Sequence, residues 1–335
     1  MKKAVTNLLH LTGAFAPFRM ANRDKALILT YHRFSDSRNP ETTSSRSFAE
    51  QLYYLRNNYQ IVPLSSLAEY VSSGERLPSG LASITIDDGY DDFYKVAFPI
   101  LKAYKIPATI FVVTKFLDRT DWLWTDKVRF IASRSSSDKF RGALLRLMPE
   151  INLDRHGSRS ILASQLNAAL KKIPDDLKQK LILRIATALG VQLPDVPPVE
   201  SAPISWEQAR EMDATGVQIA SHSATHPILT NVSDEQLRTE LCESKTRIET
   251  MIDRNADLFC YPNGSYDQRI SLGVRNAGYR AAVTVVDGLN ECGTDAFRLK
   301  RVHTQNSLAR FIQCTSGFDQ FKNRLVHAGR EAAAI

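Results

Sequence analysis

Long hydrophobic runs are missing from this sequence. Beyond the first 24 residues no stretch approaches the ~20 consecutive apolar residues of a membrane-crossing helix, so no such span is expected. Cysteine is scarce: Cys242, Cys260, Cys292 and Cys314 are widely spaced and form no C-x-x-C motif. Cys242 falls in a helical pattern and Cys260 in a strand-like run, so buried free thiols are expected, although an even count leaves a disulfide open. Runs of Lys and Arg are also absent. The net charge is +7, but the basic residues are scattered, which reads as a solvated basic surface. No nucleic-acid partner is expected, while attraction to an anionic glycolipid or membrane surface, and so peripheral membrane association, stays open. There is no internal repeat and no low-complexity tract.

What is present is an ordinary globular balance, 43% hydrophobic and 24% charged, long enough for one large domain or one domain with an insertion. Lys2 and Lys3 precede a mildly apolar stretch ending in Ala14-Phe15-Ala16, which superficially fits a secretion signal. Thr6, Asn7, His10 and Thr12 interrupt it, so residues 1–24 read better as an amphipathic helical segment on the domain or on a membrane surface. The expected location is cytoplasmic or peripheral to the membrane, with secretion still open.

Apolar runs at 26–31, 82–86, 108–113, 217–220, 258–261, 281–286 and 299–303, with a weaker one at 60–62, alternate with amphipathic segments such as 47–57, 90–104 and 234–252. Ser205 with Gln208, and Ser233 with Gln236, have the spacing of capping boxes. This alternation predicts an α/β fold, a parallel sheet closing toward a (β/α) barrel whose chemistry lies at the C-terminal ends of the strands. Residues 126–203 break the pattern. They read as a helical insertion, with helices at 160–172 and 175–189 and a Pro-rich return, bearing no titratable constellation of its own. The expected organisation is therefore an N-terminal segment (1–24), a barrel (25–125 and 204–318), the insertion (126–203) and a tail (319–335).

Asp87 and Asp88 end one predicted strand, and His222 and His226 follow another, where Pro227 argues against a single helical turn. His32 and His303 also end strands, so four of seven histidines fall on one predicted face. Two imidazoles and a carboxylate make a three-ligand metal site with an open position, and a second carboxylate beside the first can act as base on bound water. Alone, Asp-Asp-Gly is as ordinary as a strand-closing turn. On a shared face with the histidine pair it points to metal-assisted hydrolysis.

The residues at this point resemble a known family. Thr85-Ile86-Asp87-Asp88-Gly89, His222-Ser223-Ala224-Thr225-His226 and Phe259-Cys260-Tyr261-Pro262-Asn263-Gly264 are similar, in that order, to the motifs of the polysaccharide deacetylases, the NodB-homology domain of carbohydrate esterase family 4. Similar stretches span roughly residues 25–120 and 200–315. The resemblance implies an incomplete, distorted (β/α) barrel and hydrolysis of the N-acetyl group of an N-acetylhexosamine, releasing acetate, in a polysaccharide, oligosaccharide or glycolipid precursor. It implies Asp88, His222 and His226 as ligands of a divalent metal; Zn2+ fits best, with Co2+, Ni2+ or Fe2+ also suited. Asp87 would be the catalytic base, Asn263 would supply an oxyanion N–H, and His303 would protonate the leaving amine, with His32 as an equal candidate or a partner behind a ligand. Tyr90, Tyr261 and Pro262 join Asn263 as expected substrate contacts, and Trp122, Trp124 and Tyr266 are further aromatics near the motifs. One departure matters: where the family commonly carries an Arg that tethers the base, this sequence has Cys260. Arg301 is the candidate replacement. Two other readings stay open, a deacylase or deformylase of a lipid-linked sugar and a non-catalytic glycan-binding barrel.

Overall fold

The strands grow directly out of the apolar runs. In a computed structural model, which describes residues 6, 12–37, 39 and 41–323, β1 (Leu27–Tyr31), β3 (Leu81–Ile86) and β4 (Ala108–Val112) are buried at every position. Strands without polar alternation need cover on both faces, the situation of a parallel sheet flanked by helices. β2 (Gln60–Ile61), β5 (Val217–Ser221), β6 (Leu258–Cys260), β7 (Ala281–Val283) and β8 (Val302–His303) complete an eight-stranded sheet in the order β7-β6-β5-β4-β3-β1-β8, with β2 beside β3. Every named pairing is parallel.

The expected strand at 299–303 is only partly a strand, for a geometric reason. Leu299 bridges Val283 of β7, whereas Val302 and His303 pair with Leu29 and Thr30 of β1. The segment changes partners midway, and in doing so it spans the two sheet edges and curls the sheet into an incomplete barrel. Arg301 lies in this closing segment. The run at 281–286 likewise leaves the sheet after Val283.

Alternation along each strand divides two cores. Leu27, Leu29 and Tyr31 pack outward with Leu52 and Leu55 of the helix Ser45–Asn58. Ile28 joins an inward set that includes Phe111, Ala220, Leu258, Cys260 and Leu299. Toward the C-terminal end the buried positions become polar, with Thr30, Thr85, Asp87 and Arg301 all enclosed.

The segment at 90–104 is not one α-helix. Pro99 has no N–H to offer, and the chain takes a π turn over Phe93–Ala97 before the helix Phe98–Tyr104. Ser205 and Gln208 form the full capping box. Ser233 caps its helix too, but Gln236 turns its side chain to Asp175 instead of back to the cap. The insertion's first helix, Trp124–Ser133, begins before the expected boundary. It packs with Ser137–Leu147, Arg159–Leu170 and Asp175–Ala188 around a core of its own containing Phe140, Leu144, Leu166 and Ile185. All four cysteines are free, and two of them, Cys242 and Cys292, are exposed rather than buried. No helix among the described residues is long and apolar enough to cross a membrane. Most of the signal-like stretch and the tail from residue 324 lie outside the described residues.

Because Phe140 is fully enclosed in the insertion core, Phe140→Ala is expected to lower unfolding free energy by about 3–5 kcal/mol. Urea unfolding followed by circular dichroism checks this, and a loss within about 0.5 kcal/mol, the range of a neutral surface change, would show that this core does not stabilise the protein.

Candidate active site

Strand register assembles the site. Tyr31 and Ile86 are partners, so the next residues, His32 and Asp87, emerge side by side, with the Asp87 N–H donating to the Tyr31 carbonyl at 3.0 Å. Val112 pairs with Ser221, and the His222 N–H donates to the Val112 carbonyl at 2.9 Å. Ser221 pairs with Phe259, which brings His222 next to Cys260. Each chain then turns sharply. Asp88, Ser223, His226 and Asn263 all have positive φ, four of the seven non-glycine residues in that state among the described residues. Such backbone concentrates where a site over-determines it. Gly89, at φ +89°, completes the first turn, and a Cβ there would lie 3.0 Å from Leu117 and 3.3 Å from Val112.

These turns bring Asp88, His222 and His226 together. Each histidine Nε2 lies 3.6 Å from Asp88 Oδ1, and one ligand atom from each residue falls within 4.8 Å of the others. Two ligands bound tetrahedrally at ~2.0–2.1 Å are about 3.4 Å apart, so the three atoms fit a divalent cation with little adjustment. His222 Nδ1 lies 2.7 Å from the Cys260 carbonyl, a contact that assigns the proton to Nδ1 and leaves Nε2 as the lone-pair donor. Burial lowers the pKa of His222 to about 4 and holds His226 well below the usual imidazole range, so both rings are neutral at pH 7. Burial, followed by the charges of Asp87 and Asp126, raises Asp88 to about 8. At neutral pH the Asp88 carboxylate thus needs a proton or a cation, and two neutral imidazoles face it.

Asp87 has the opposite surroundings. Burial alone would raise its pKa, but Arg301 outweighs that and holds the carboxyl well below the usual range. The Arg301 guanidinium is completely buried. Nη1 donates to Asp87 Oδ1 at 2.7 Å and Nη2 to Oδ2 at 2.8 Å. The remaining donors go to Thr85 Oγ1, the Thr284 carbonyl and, at 3.2 Å, Cys260 Sγ. The small Cys260 side chain leaves the space that this guanidinium occupies. Its own pKa is driven well above the thiol range by burial, so it stays a neutral thiol.

His32 Nε2 lies 3.6 Å from Asp87 Oδ2 with its side chain 44% exposed. The His303 ring runs nearly parallel to it, centroids 6.5 Å apart. Both therefore stand at the open side of the cleft. Asn263 holds φ +54° in a short turn, and its Nδ2 is buried with no partner among the described residues.

The expected aromatic platform is not there. Tyr90 is buried, its hydroxyl donates to Asp126 at 2.7 Å, and Arg33 lies over its ring at 3.8 Å. Tyr261 is buried with its hydroxyl on the Phe297 carbonyl and its ring stacked on Tyr266. Trp122, Trp124 and Pro262 are enclosed as well. These residues support the loops instead of presenting a face to sugar, and the polar tips of Tyr90, Tyr261 and Trp124 each find a protein partner inside.

Supporting residues lie behind these loops, and among them Glu240 and Asp126 carried no sequence signal. Glu240, buried in the helix Asp234–Ile252, accepts from the Ala224 and Thr225 N–H groups at 2.8 and 2.9 Å and from the Thr225 hydroxyl at 2.6 Å, clamping the histidine loop. From the insertion, Trp124 Nε1 donates to the His226 carbonyl at 3.1 Å, and Asp126 joins Tyr90 to Arg129. The insertion therefore does carry titratable groups that reach the site. A separate cleft of about 400 Å3, lined by Arg19, Arg23, Lys25 and Arg56, opens at the N-terminal end of the strands and contains none of the motif residues.

With this geometry in hand, the comparisons with known proteins are unambiguous about kinship. The sequence profile of the polysaccharide deacetylases matches residues 74–282. The chain belongs to the polysaccharide deacetylase family. It is thus an amide hydrolase of carbohydrate esterase family 4. It is 21% identical over 286 residues, 85% of this chain and 73% of the other, to YxkH of Bacillus subtilis (strain 168), which carries a provisional polysaccharide deacetylase name. A shorter match, 40% identical over 70 residues, covers 21% of this chain and only 10% of the poly-β-1,6-N-acetyl-D-glucosamine N-deacetylase of Escherichia coli (strain K12). Among solved structures, the Streptococcus pyogenes deacetylase PplD in complex with acetate aligns with a TM-score of 0.57 at 19% identity, covering 87% of this chain and 98% of that one. At that identity the likeness speaks for the fold, an incomplete α/β barrel.

Removing one member of a buried ion pair strands the other charge. Arg301→Met is therefore expected to destabilise the protein by about 3–5 kcal/mol, and Arg301→Met combined with Asp87→Asn is expected to recover a substantial part. Urea unfolding of the two single variants and the double variant at pH 7 checks this; additive losses would show that the pair is not coupled.

Proposed function

We propose that this protein is a metal-dependent N-deacetylase acting on N-acetylhexosamine units of a glycan and releasing acetate. The observation that carries the reading is the division of labour between neighbours. Asp88 faces two neutral histidines as a ligand set, while Asp87 is held ionised beside it by Arg301. In this proposal Asp88, His222 and His226 hold the ion. A divalent cation in such a site polarises the acyl carbonyl and acidifies a coordinated water.

The chain's own groups do the rest. Asp87 takes the proton of the attacking water, its Oδ atoms fixed in orientation by two guanidinium N–H groups. The Asn263 backbone N–H is assigned to the developing oxyanion. His303, with free access to the cleft, delivers the proton to the departing amine, and His32 steadies the Asp87 side of the site. The non-catalytic alternative drew its force from the missing third-motif Arg, and the guanidinium of Arg301 now stands against the base carboxylate. The curated relative named as a poly-β-1,6-N-acetyl-D-glucosamine N-deacetylase makes β-1,6-linked N-acetylglucosamine oligomers the first substrates to try.

Protein purified without chelator is expected to hold one divalent ion per chain, to lose acetate release on chelation and to regain it with added metal. His222→Ala should lose the ion. Asp87→Asn should keep it while kcat falls by about 10²–10⁴-fold, the usual worth of a general base. Elemental analysis with an acetate assay checks these outcomes, and full metal content in His222→Ala would sink the ligand assignment. Separately, His303→Ala is expected to lower kcat by about 10²-fold or more with metal retained. If His32→Ala carries that loss and His303→Ala does not, the acid is His32.

A further inference from the structure

The two histidines of the ligand set are anchored differently. His222 Nδ1 is fixed by the Cys260 carbonyl at 2.7 Å, but His226 Nδ1 is buried with no partner among the described residues. A metal-binding imidazole is usually aimed by a hydrogen bond to its other ring nitrogen. Lacking one, the His226 ring takes its direction from its own backbone. That backbone holds φ +61°, a conformation that costs a non-glycine residue free energy and persists only where neighbours enforce it. The His226 N–H donates to Ser223 Oγ at 3.0 Å, within the same loop. Its carbonyl is held from the insertion, where Trp124 Nε1 donates to it at 3.1 Å.

Trp124 is itself pinned. It is the first residue of the helix Trp124–Ser133 and is fully enclosed. The Lys178 ammonium lies 4.6 Å from the centroid of its ring, and Lys178, buried in the helix Asp175–Ala188, pairs with Asp175. An ammonium over a ring face is attracted to it, so the insertion fixes the plane of the indole and with it the direction of its N–H. The loop that follows His226 is built into the insertion as well. Ile228 belongs to the insertion core. Asn231 Nδ2 donates to the Lys171 and Ile173 carbonyls at 2.8 and 3.0 Å, just past the helix Arg159–Leu170. His226, Ile228 and Asn231 thus all tie the second histidine and its loop to the insertion.

We propose that Trp124 is a positioning residue for His226, so that the affinity of the site for its divalent ion and the order of the helical insertion are linked. The inference rests on the ligand assignment made above. Such linkage is reciprocal. An insertion that holds His226 in its ligating pose tightens ion binding, and a bound ion that holds His226 stabilises the insertion in return. The histidine motif supplies only one of the two hydrogen bonds that fix the His226 backbone, and the insertion supplies the other. Trp124 acts through that carbonyl and not on the ion itself.

The test is the zinc affinity of metal-stripped protein, measured by competition with a chelating indicator, together with hydrogen exchange of the insertion with and without Zn2+. Trp124→Phe keeps a ring over Lys178 and removes the N–H donor. It is expected to bind zinc about tenfold more weakly, the lower end of what losing a group behind a metal ligand costs, with the circular dichroism of the metal-free protein unchanged. Lys178→Met combined with Asp175→Asn removes the buried pair without stranding either charge. This second variant lies outside the histidine loop and should weaken zinc binding in the same direction. In the wild type, Zn2+ should slow exchange in Trp124–Ser133 and Asp175–Ala188, and Trp124→Phe should lose most of that slowing. Unchanged zinc affinity in both variants, or exchange that Zn2+ leaves unaltered in the wild type, overturns the positioning role while the ligand assignment stands. Wild-type protein that takes up no divalent ion overturns the ligand assignment, and the linkage with it.

Discussion

The site depends on a fully enclosed ion pair between Asp87 and Arg301. Burying both charges costs several kcal/mol per ion after relaxation, and only close geometry with every donor used can offset it. The guanidinium meets that condition: two N–H groups on the carboxylate, one on Thr85, one on the Thr284 carbonyl and a contact to Cys260. Those partners belong to the ends of β3, β6 and β7, and Arg301 itself lies in the segment that joins β7 to β1. The interaction that orients the carboxylate is therefore also one that ties the barrel's closing segment to its interior. The geometry at Asp87 and closure of the sheet are hard to vary separately.

Around that fixed point, the strands deliver the site residues by register and the loops re-aim them by strained backbone. Parallel pairing alone puts His32 beside Asp87 and His222 beside Cys260. Positive φ at Asp88, Ser223 and His226 then turns carboxylate and imidazoles toward one point. Strain of this kind persists only when surrounding contacts hold it. The Glu240 carboxylate accepts three hydrogen bonds from the histidine loop, and Trp124 holds the His226 carbonyl from the insertion side. The insertion is thus coupled to the site, not merely placed at its rim.

How much of this was legible depended on whether the signal was local. The strands could be read because both faces are covered and the runs are continuously apolar. The Ser205–Gln208 box, a device within one turn, could be read as well. Asp87, Asp88, His222 and His226 showed themselves because unusual residue types fall together just past strands. Arg301 was visible only as a cation in a terminal strand, with an empty place to fill at Cys260. Glu240 could not be seen: it is one carboxylate in an acid-rich helix, and only tertiary packing selects it from its neighbours. Tyr90 was misread for the same reason. Its position after Asp-Asp-Gly looks like a sugar platform, yet Arg33 and Asp126, distant in sequence, enclose its ring and take its hydroxyl. The Gln236 side chain was drawn away from its cap by Asp175 in the same manner.

Asp87 and Asp88 are the same side chain one residue apart, and their divergence is the chemical content of the fold. Proximity alone would have them compete, since two like charges in one low-dielectric site cannot both ionise freely. The barrel resolves the competition by direction. Asp87 points into the interior, where Arg301 stabilises its anion and drives the pKa down; Asp88 turns outward at positive φ, away from that cation, where burial and the charges of Asp87 and Asp126 raise it. On the proposed reading, the group kept ionised is the base, and the group that repels its own charge is the ligand, because a cation removes the penalty that a proton would otherwise have to remove. Environments that push paired carboxylates apart are how one fold assigns two roles to one residue type. On the proposed reading that division rests on the turn just past β3, where Asp88 and Gly89 both hold positive φ.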